Sequence, residues 1–205
     1  MLNQDYKLAT KAIAKRICTV LPKIINNDQT GFLKNRYIGE NILNITNLMN
    51  YLDETNESAL ISVDFEKVFD YLEWKFIEYC LKRFNFGPCI RKWITVFYTN
   101  TTTRILNNGW ITEVFKPSRG CPLSPYIFII CAEILACLFR NDFNIEGIKV
   151  NDKTFLISQY ADDTIITLKY SEPNLKNSIK IFQLFARCSG LKVNYEKSQI
   201  MPTII

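Results

Sequence analysis

Helical runs and short hairpins follow one another along this chain with no repeated strand–helix–strand unit, which predicts an α+β fold around an antiparallel sheet. Three observations carry that expectation. Apolar positions recur at helical spacing over residues 6–20, 39–52, 72–86 and 173–188. Asn107-Asn108-Gly109 lies between two strand-like runs, a strong two-strand signal. Residues 154–160 and 164–168 are apolar runs, the second rich in β-branched residues, and they read as strand, tight turn and strand.

The elements follow in order. Leu8, Ala12, Ile13, Ile17, Val20 and Leu21 form the apolar face of the first helix, and Pro22 is expected to end it. The second helix, 39–52, is expected to bury Ile42, Ile45, Leu48 and Met49. Residues 59–63 form a short strand that runs into Asp64. The helix over 72–86 turns Trp74, Ile77, Cys80, Leu81 and Phe84 inward until Gly87-Pro88 breaks it. Residues 89–98 continue as a helix and 102–115 as a hairpin; Trp93 and Trp110 are expected in the core. Residues 122–140 are the longest apolar helix and are expected to be buried. Short strands fill 148–168, Gly190 caps the helix over 173–188, and 192–201 reads as a strand.

Composition bounds the chemistry. A chain of 205 residues, 48% hydrophobic and 22% charged, is an ordinary globular domain or a domain with a lobe. The net charge of +5 gathers at Lys7-Lys11-Lys15-Arg16, Lys34-Arg36, Arg83-Arg91-Lys92 and Lys176-Lys180. Such clusters suit a polyanionic partner and equally suit solvated helix faces. The chain has no histidine, which excludes a Ser-His-Asp triad and His-ligated zinc. Its seven cysteines form no C-x-x-C pair and no signal peptide precedes them, so a reduced, intracellular setting is expected. No apolar run reaches the roughly 18 residues of a membrane span, so no membrane partner is expected.

The candidate chemistry lies in three carboxylates. Asp162 and Asp163 stand at the tip of the predicted hairpin, where Asp tolerates a positive φ. Two carboxylates on a rigid turn cannot neutralise one another, so they call for a cation, and oxygen-only ligands suit Mg²⁺ or Mn²⁺. Such a pair also suits a plain exposed turn. Asp64, at a strand end, would complete a site for two ions roughly 3.5–4 Å apart, or would serve as a helix N-cap or a surface ion-pair partner.

Six segments in order carry a resemblance: Leu2-Asn3-Gln4-Asp5-Tyr6-Lys7; Gln29-Thr30-Gly31-Phe32-Leu33-Lys34-Asn35-Arg36; Val63-Asp64-Phe65-Glu66-Lys67-Val68-Phe69-Asp70; Arg119-Gly120-Cys121-Pro122-Leu123-Ser124-Pro125; Tyr160-Ala161-Asp162-Asp163; and Gly190-Leu191-Lys192-Val193-Asn194-Tyr195-Glu196-Lys197-Ser198. Over nearly its whole length the chain resembles the reverse transcriptase of LINE-type, non-LTR retrotransposons. The resemblance implies the fingers and palm of a right-hand polymerase, with an antiparallel palm sheet packed on helices. Residues 1–57 would be the fingers and 58–205 the palm, with the primer grip and thumb missing after Ile205. It implies RNA-directed DNA polymerase activity, in the nucleus and/or cytoplasm: dNTP addition to the 3′-hydroxyl of a DNA primer on an RNA template, with two Mg²⁺ (or Mn²⁺) ions.

By the same resemblance, Asp64, Asp162 and Asp163 are the metal ligands and Lys197 donates a proton to the leaving pyrophosphate. Phe69 is the sugar gate. Phe65, Arg36, Pro122, Gln159 and Tyr160 contact substrate, Arg36 and Lys34 by holding template or triphosphate. Gln29, Gly31 and Phe32 shape the fingers.

The chain also departs from that pattern. Met1 stands where the family has Arg-Pro-Ile. Gly120 meets Cys121 directly, without an Arg-Gln-Gly linker, and Val68 and Tyr71 replace smaller residues. These departures imply impaired polymerisation. The alternative is a catalytically inactive, nucleic-acid-binding remnant of a retrotransposon. A nucleotide cyclase would show a Gly-Gly-acidic turn, which the chain lacks.

Overall fold

The computed structural model describes residues 4–52, 58–66, 68–99, 102, 104–114 and 121–203, with Phe69, Asp70 and Thr203 described by backbone alone. The chain opens with α1 (Gln4–Ile24), which buries Thr10, Ile13, Ala14, Ile17 and Leu21 on one stripe. Pro22 does not end this helix. It sits in the last turn, where its missing N–H costs a single bond, and Ile25 N–H still reaches Leu21 O at 2.9 Å.

Helix α2 (Ile38–Leu52) buries Asn41, Leu48 and Leu52, whereas Ile42 and Met49 are exposed. The face is turned from the expected one because Asn41 docks as a polar group. Its Nδ2 donates to Gln159 O at 2.8 Å, which a hydrophobic pattern does not reveal.

The main sheet has the order β10-β1-β8-β7, and every neighbouring pair is antiparallel. It is built from β1 (Ser58–Val63), β7 (Ile157–Tyr160), β8 (Asp163–Lys169) and β10 (Gln199–Thr203). Two-stranded pairs flank it: β2 (Phe65–Glu66) with β9 (Lys192–Val193), β3 (Leu106–Asn107) with β4 (Trp110–Ile111), and β5 (Ile148–Val150) with β6 (Lys153–Phe155). The predicted helix over 72–86 is α4 (Trp74–Arg83), preceded by the single turn α3 (Val68–Tyr71); α5 (Pro88–Tyr98) follows.

The core is centred on α6 (Ser124–Asn141), whose Ile129, Ile130, Cys131 and Phe139 are fully buried. By length and mean hydropathy, 1.4, α6 would pass for a membrane span, which corrects the expectation that no run is long enough. It is mostly buried inside the protein, and its two charged residues, Glu133 and Arg140, pair with each other. Helix α7 (Glu172–Ser189) starts at Ser171, whose side chain accepts from Asn174 N–H, and ends at Gly190 with φ 78°. Phe182 and Phe185 of α7 pack on Phe65, Phe76 and Phe139.

The 107–109 hairpin forms as expected, with positive φ at Asn108 and Gly109, as a two-residue turn demands. Its strands are only two residues long and lie on the surface. Trp110 is 82% exposed and Trp93 47%, so neither is a core residue. Trp93 stacks on Phe97 instead. Residues 192–201 are not one strand: a turn over 195–197 splits them between β9 and β10.

Candidate active site

Two structural units bring carboxylates to one end of the sheet. β1 and β8 pair as far as Val63↔Thr164, so the next residues outward on the two strands are Asp64 and Asp163. β7 and β8 close at Tyr160↔Asp163, leaving Ala161 and Asp162 as the two-residue turn. Asp163 thus opens a strand and does not sit at the tip. The positive φ, 55°, falls on Ala161 and not on an aspartate.

The charges of Asp162 and Asp64 act on Asp163. The Asp163 carboxyl is held above the usual carboxylate range, first by partial burial and then by the charges of Asp162 and Asp64. Among the described residues no three His, Cys, Asp or Glu side chains gather into a ligand cluster. The three carboxylates therefore share one end of the sheet without being drawn onto a common point. Oxygen donors that repel one another are the chemistry a divalent cation relieves, so these residues fit Mg²⁺ or Mn²⁺.

Asp64 is set by the turn that splits β9 from β10. Its N–H donates to Ser198 Oγ at 3.1 Å, its carbonyl accepts from Asn194 N–H at 2.9 Å, and its Oδ2 accepts from Asn194 Nδ2 at 3.2 Å. Ser198 closes the turn by donating from Oγ to Asn194 O at 2.7 Å. Asn194 and Ser198 were not expected at the site. The available signal was an Asn and a Ser four residues apart, a pattern that builds side-chain turns. Lys197 is exposed on this turn, and a groove of about 630 Å³ is lined by Asp64, Phe65, Glu66 and residues 193–197.

The hairpin is set by a segment far away in sequence. Residues 28–31 run beside β7: Gln159 N–H donates to Asp28 O at 2.7 Å and Thr30 N–H to Gln159 O at 2.9 Å. Gln29 reaches the turn itself, donating from Nε2 to Ala161 O at 3.1 Å and accepting from Ala161 N–H at 3.0 Å. Gly31 makes the approach possible, since a Cβ there would stand 2.2 Å from Ala161 N. Gln29 and Gly31, expected to shape the fingers, thus meet the carboxylate turn directly.

Behind this segment, Arg140 of α6 donates to Asp28 Oδ2 at 2.6 Å and pairs with the buried Glu133. Glu133 Oε2 accepts from Asn26 N–H at 3.3 Å. One guanidinium serves two carboxylates, and burial holds the Glu133 carboxyl above the usual range despite its partner.

Several residues expected to contact substrate are engaged within the protein. The Arg36 fork is engaged by backbone carbonyls: its Nη atoms donate to Gln29 O at 2.7 Å, Ile25 O at 2.9 Å, Pro22 O at 3.4 Å and Asn26 O. A guanidinium suits the orphan carbonyls at the end of α1. The Phe65 ring is 6% exposed and packs on Phe182 and Phe185, so its side chain belongs to the core. Gln159 is 1% exposed and its Nε2 donates to Thr164 Oγ1 at 3.3 Å, which makes it a hairpin brace.

Tyr160 is exposed beside the turn. Pro122 is half-buried in the turn before α6, where Tyr98 Oη lies 3.1 Å from Ser124 Oγ and 3.3 Å from Cys121 Sγ. The Phe69 side chain, Lys67, Arg119 and Gly120 lie outside the described residues.

Comparison with known proteins places this geometry. The family model described as reverse transcriptase (RNA-dependent DNA polymerase) matches residues 1–204. The "Transposon TX1 uncharacterized 149 kDa protein" of Xenopus laevis is 29% identical over 203 residues, which cover 97% of this chain and 15% of that protein. The Pol polyprotein from the type-2 retrotransposable element R2DM of Drosophila melanogaster is 25% identical over 190 residues, or 88% of this chain and 17% of that protein. The chain thus spans less than a fifth of the length of either relative. A telomerase from Candida tropicalis, solved with a fragment of telomeric RNA, shares the fold at a TM-score of 0.67 and 14% identity, covering 94% of this chain and 33% of its own. The chain belongs to the reverse transcriptase (RNA-dependent DNA polymerase) family, in its LINE-type, non-LTR retrotransposon branch.

Proposed function

We propose that this chain is the fingers–palm part of a LINE-type reverse transcriptase that adds a dNTP to a DNA primer 3′-hydroxyl on an RNA template. The observation that carries the proposal is the placing of Asp64, Asp162 and Asp163 at one end of the sheet, where the charges of the first two act on the third. Asp64 and Asp162 would hold two Mg²⁺ or Mn²⁺ ions, with Asp163 as a third oxygen ligand or as the residue that shapes the turn. Bound there, the ions would supply a lowered pKa for the primer hydroxyl and charge neutralisation at the pyrophosphate.

The rest of the work falls to the chain's own residues. Asn194 orients the Asp64 carboxylate, and Gln29 holds the turn that carries Asp162. Lys197 is exposed on the wall of the Asp64 groove, where an ammonium can meet a leaving pyrophosphate as charge and as acid. Tyr160 offers an exposed ring beside the carboxylates for contact with a sugar or base. A reduced compartment, nuclear or cytoplasmic, belongs to the same reading.

The test is single-nucleotide addition to a DNA primer annealed to RNA, with Mg²⁺ or Mn²⁺, for the 205-residue chain and its Asp162→Asn variant. The expected result is slow, non-processive addition that the variant loses by at least about a hundredfold. Salt-sensitive RNA binding without addition at any metal concentration would favour the inactive nucleic-acid-binding remnant instead.

A further inference from the structure

We infer that Gln29 is the positioning residue of the carboxylate hairpin: its side-chain amide fixes the left-handed turn that aims Asp162 and Asp163, and so sets their affinity for a divalent cation. The inference rests on the proposed metal-binding reading of those carboxylates.

The turn needs such a partner. Ala161 has φ 55°, a conformation its Cβ disfavours, and it has neither glycine's freedom nor the polar side chain with which Asn or Asp compensates. Both of its backbone polar groups bond to the same side chain: Ala161 N–H donates to Gln29 Oε1 at 3.0 Å and Ala161 O accepts from Gln29 Nε2 at 3.1 Å. A primary amide is the group that donates and accepts at once; an ionised carboxylate only accepts. Gln29 is 1% exposed and Ala161 6%, so water does not replace these bonds cheaply.

The amide is itself held. Gln29 Oε1 also accepts from Gly31 N–H at 2.8 Å, and the missing Cβ of Gly31 lets the segment lie against Ala161 N. The β7–β8 ladder already closes at Tyr160↔Asp163 without Gln29. What the amide adds is local: it selects the turn conformation, and Asp162 is the next residue.

The experiment uses the whole chain. Mn²⁺ affinity is read by electron paramagnetic resonance of the free ion, and exchange of individual amides by NMR, for wild type, Gln29→Ala, Gln29→Glu and Asp162→Asn. Wild type is expected to bind Mn²⁺ in a way that Asp162→Asn abolishes. Gln29→Ala should weaken Mn²⁺ binding at least tenfold and speed exchange of the Ala161 amide at least tenfold, while the Thr167 amide, bonded to Leu156 O within the sheet region, stays unchanged. Gln29→Glu keeps the acceptors and loses the donor, so it should fall between; it also carries the test if Gln29→Ala does not fold. Ala161 exchange within twofold of wild type in the folded variants overturns the inference. So does faster exchange with Mn²⁺ affinity unchanged within twofold, because the turn would then be held without being aimed. Absence of Asp162-dependent Mn²⁺ binding in wild type sinks the metal reading first and the inference with it, a result told apart from the others by the wild-type titration alone.

Discussion

The two shores of the active site are held by different means. The hairpin shore, Asp162 and Asp163, is fixed from behind by buried and half-buried groups distant in sequence: Gln29 on the turn, Asp28 and Thr30 on β7, and Arg140 with Glu133 beneath them. The Asp64 shore is fixed by an equally distant segment, the turn from Asn194 to Ser198, through part-buried bonds and with its middle residues exposed. Buried polar bonds keep most of their strength and leave costly orphans when one partner goes. Bonds at a surface turn compete with water and lose less. The hairpin shore is therefore expected to be the more rigid side of the site.

Removing Arg140 attacks the rigid shore and has the largest expected effect. Arg140→Ala leaves Glu133 and Asp28 without their shared cation, and breaking a buried ion pair from one side costs roughly 3–5 kcal/mol. Urea unfolding monitored by circular dichroism measures it. A loss below about 1 kcal/mol would mean that the pair behaves as a surface one, and the contrast between the shores would fail.

Acidity sharpens the same contrast. The Glu133 carboxyl has a folded pKa raised above its unfolded value by burial. Its contribution to stability is then fully present below the ordinary Glu range, near pH 4.3, and is lost as pH rises through the raised value. Relative to Glu133→Gln, which cannot ionise, wild type should lose stability across that window, with a slope of at most about 1.4 kcal/mol per pH unit. Parallel stability–pH curves for the two proteins would show that Arg140 fully offsets the burial of Glu133.

The smallest effect is expected on the other shore. Asn194→Ala removes the amide from Asp64 Oδ2 and should cost about 1 kcal/mol of stability. Its main consequence should be a weaker Mn²⁺ affinity with Ala161 amide exchange unchanged, since the hairpin is held elsewhere. If Asn194→Ala destabilised the chain as much as Arg140→Ala, the two shores would not differ in kind.

Much of this was legible in the residues. The α+β class, the buried helix expected over 122–140 and found at Ser124–Asn141, the carboxylate hairpin and the strand running into Asp64 follow from periodicity and turn chemistry, which act over a few residues. Six short segments in order identified the family. Misreadings came where a residue's partner lies far along the chain. Ile42 and Met49 look inward by period, yet Asn41 takes the buried face because Gln159 O waits there. Arg36 looks like a phosphate clamp by type, yet backbone carbonyls between Pro22 and Gln29 take its donors. Trp110 looks like core by size, yet its two-residue strands bury neither face.

By itself, then, the sequence determined which elements form and which carboxylates stand at their ends, because helix and strand periods, proline, glycine and Asx chemistry are local properties of the chain. Only the tertiary structure decided how those carboxylates are aimed. Ala161 adopts a left-handed turn because Gln29 satisfies both its polar groups and Gly31 leaves room, and Asp64 is oriented because Asn194 folds back over it. Each of these depends on contacts between segments far apart in sequence, which no local pattern encodes.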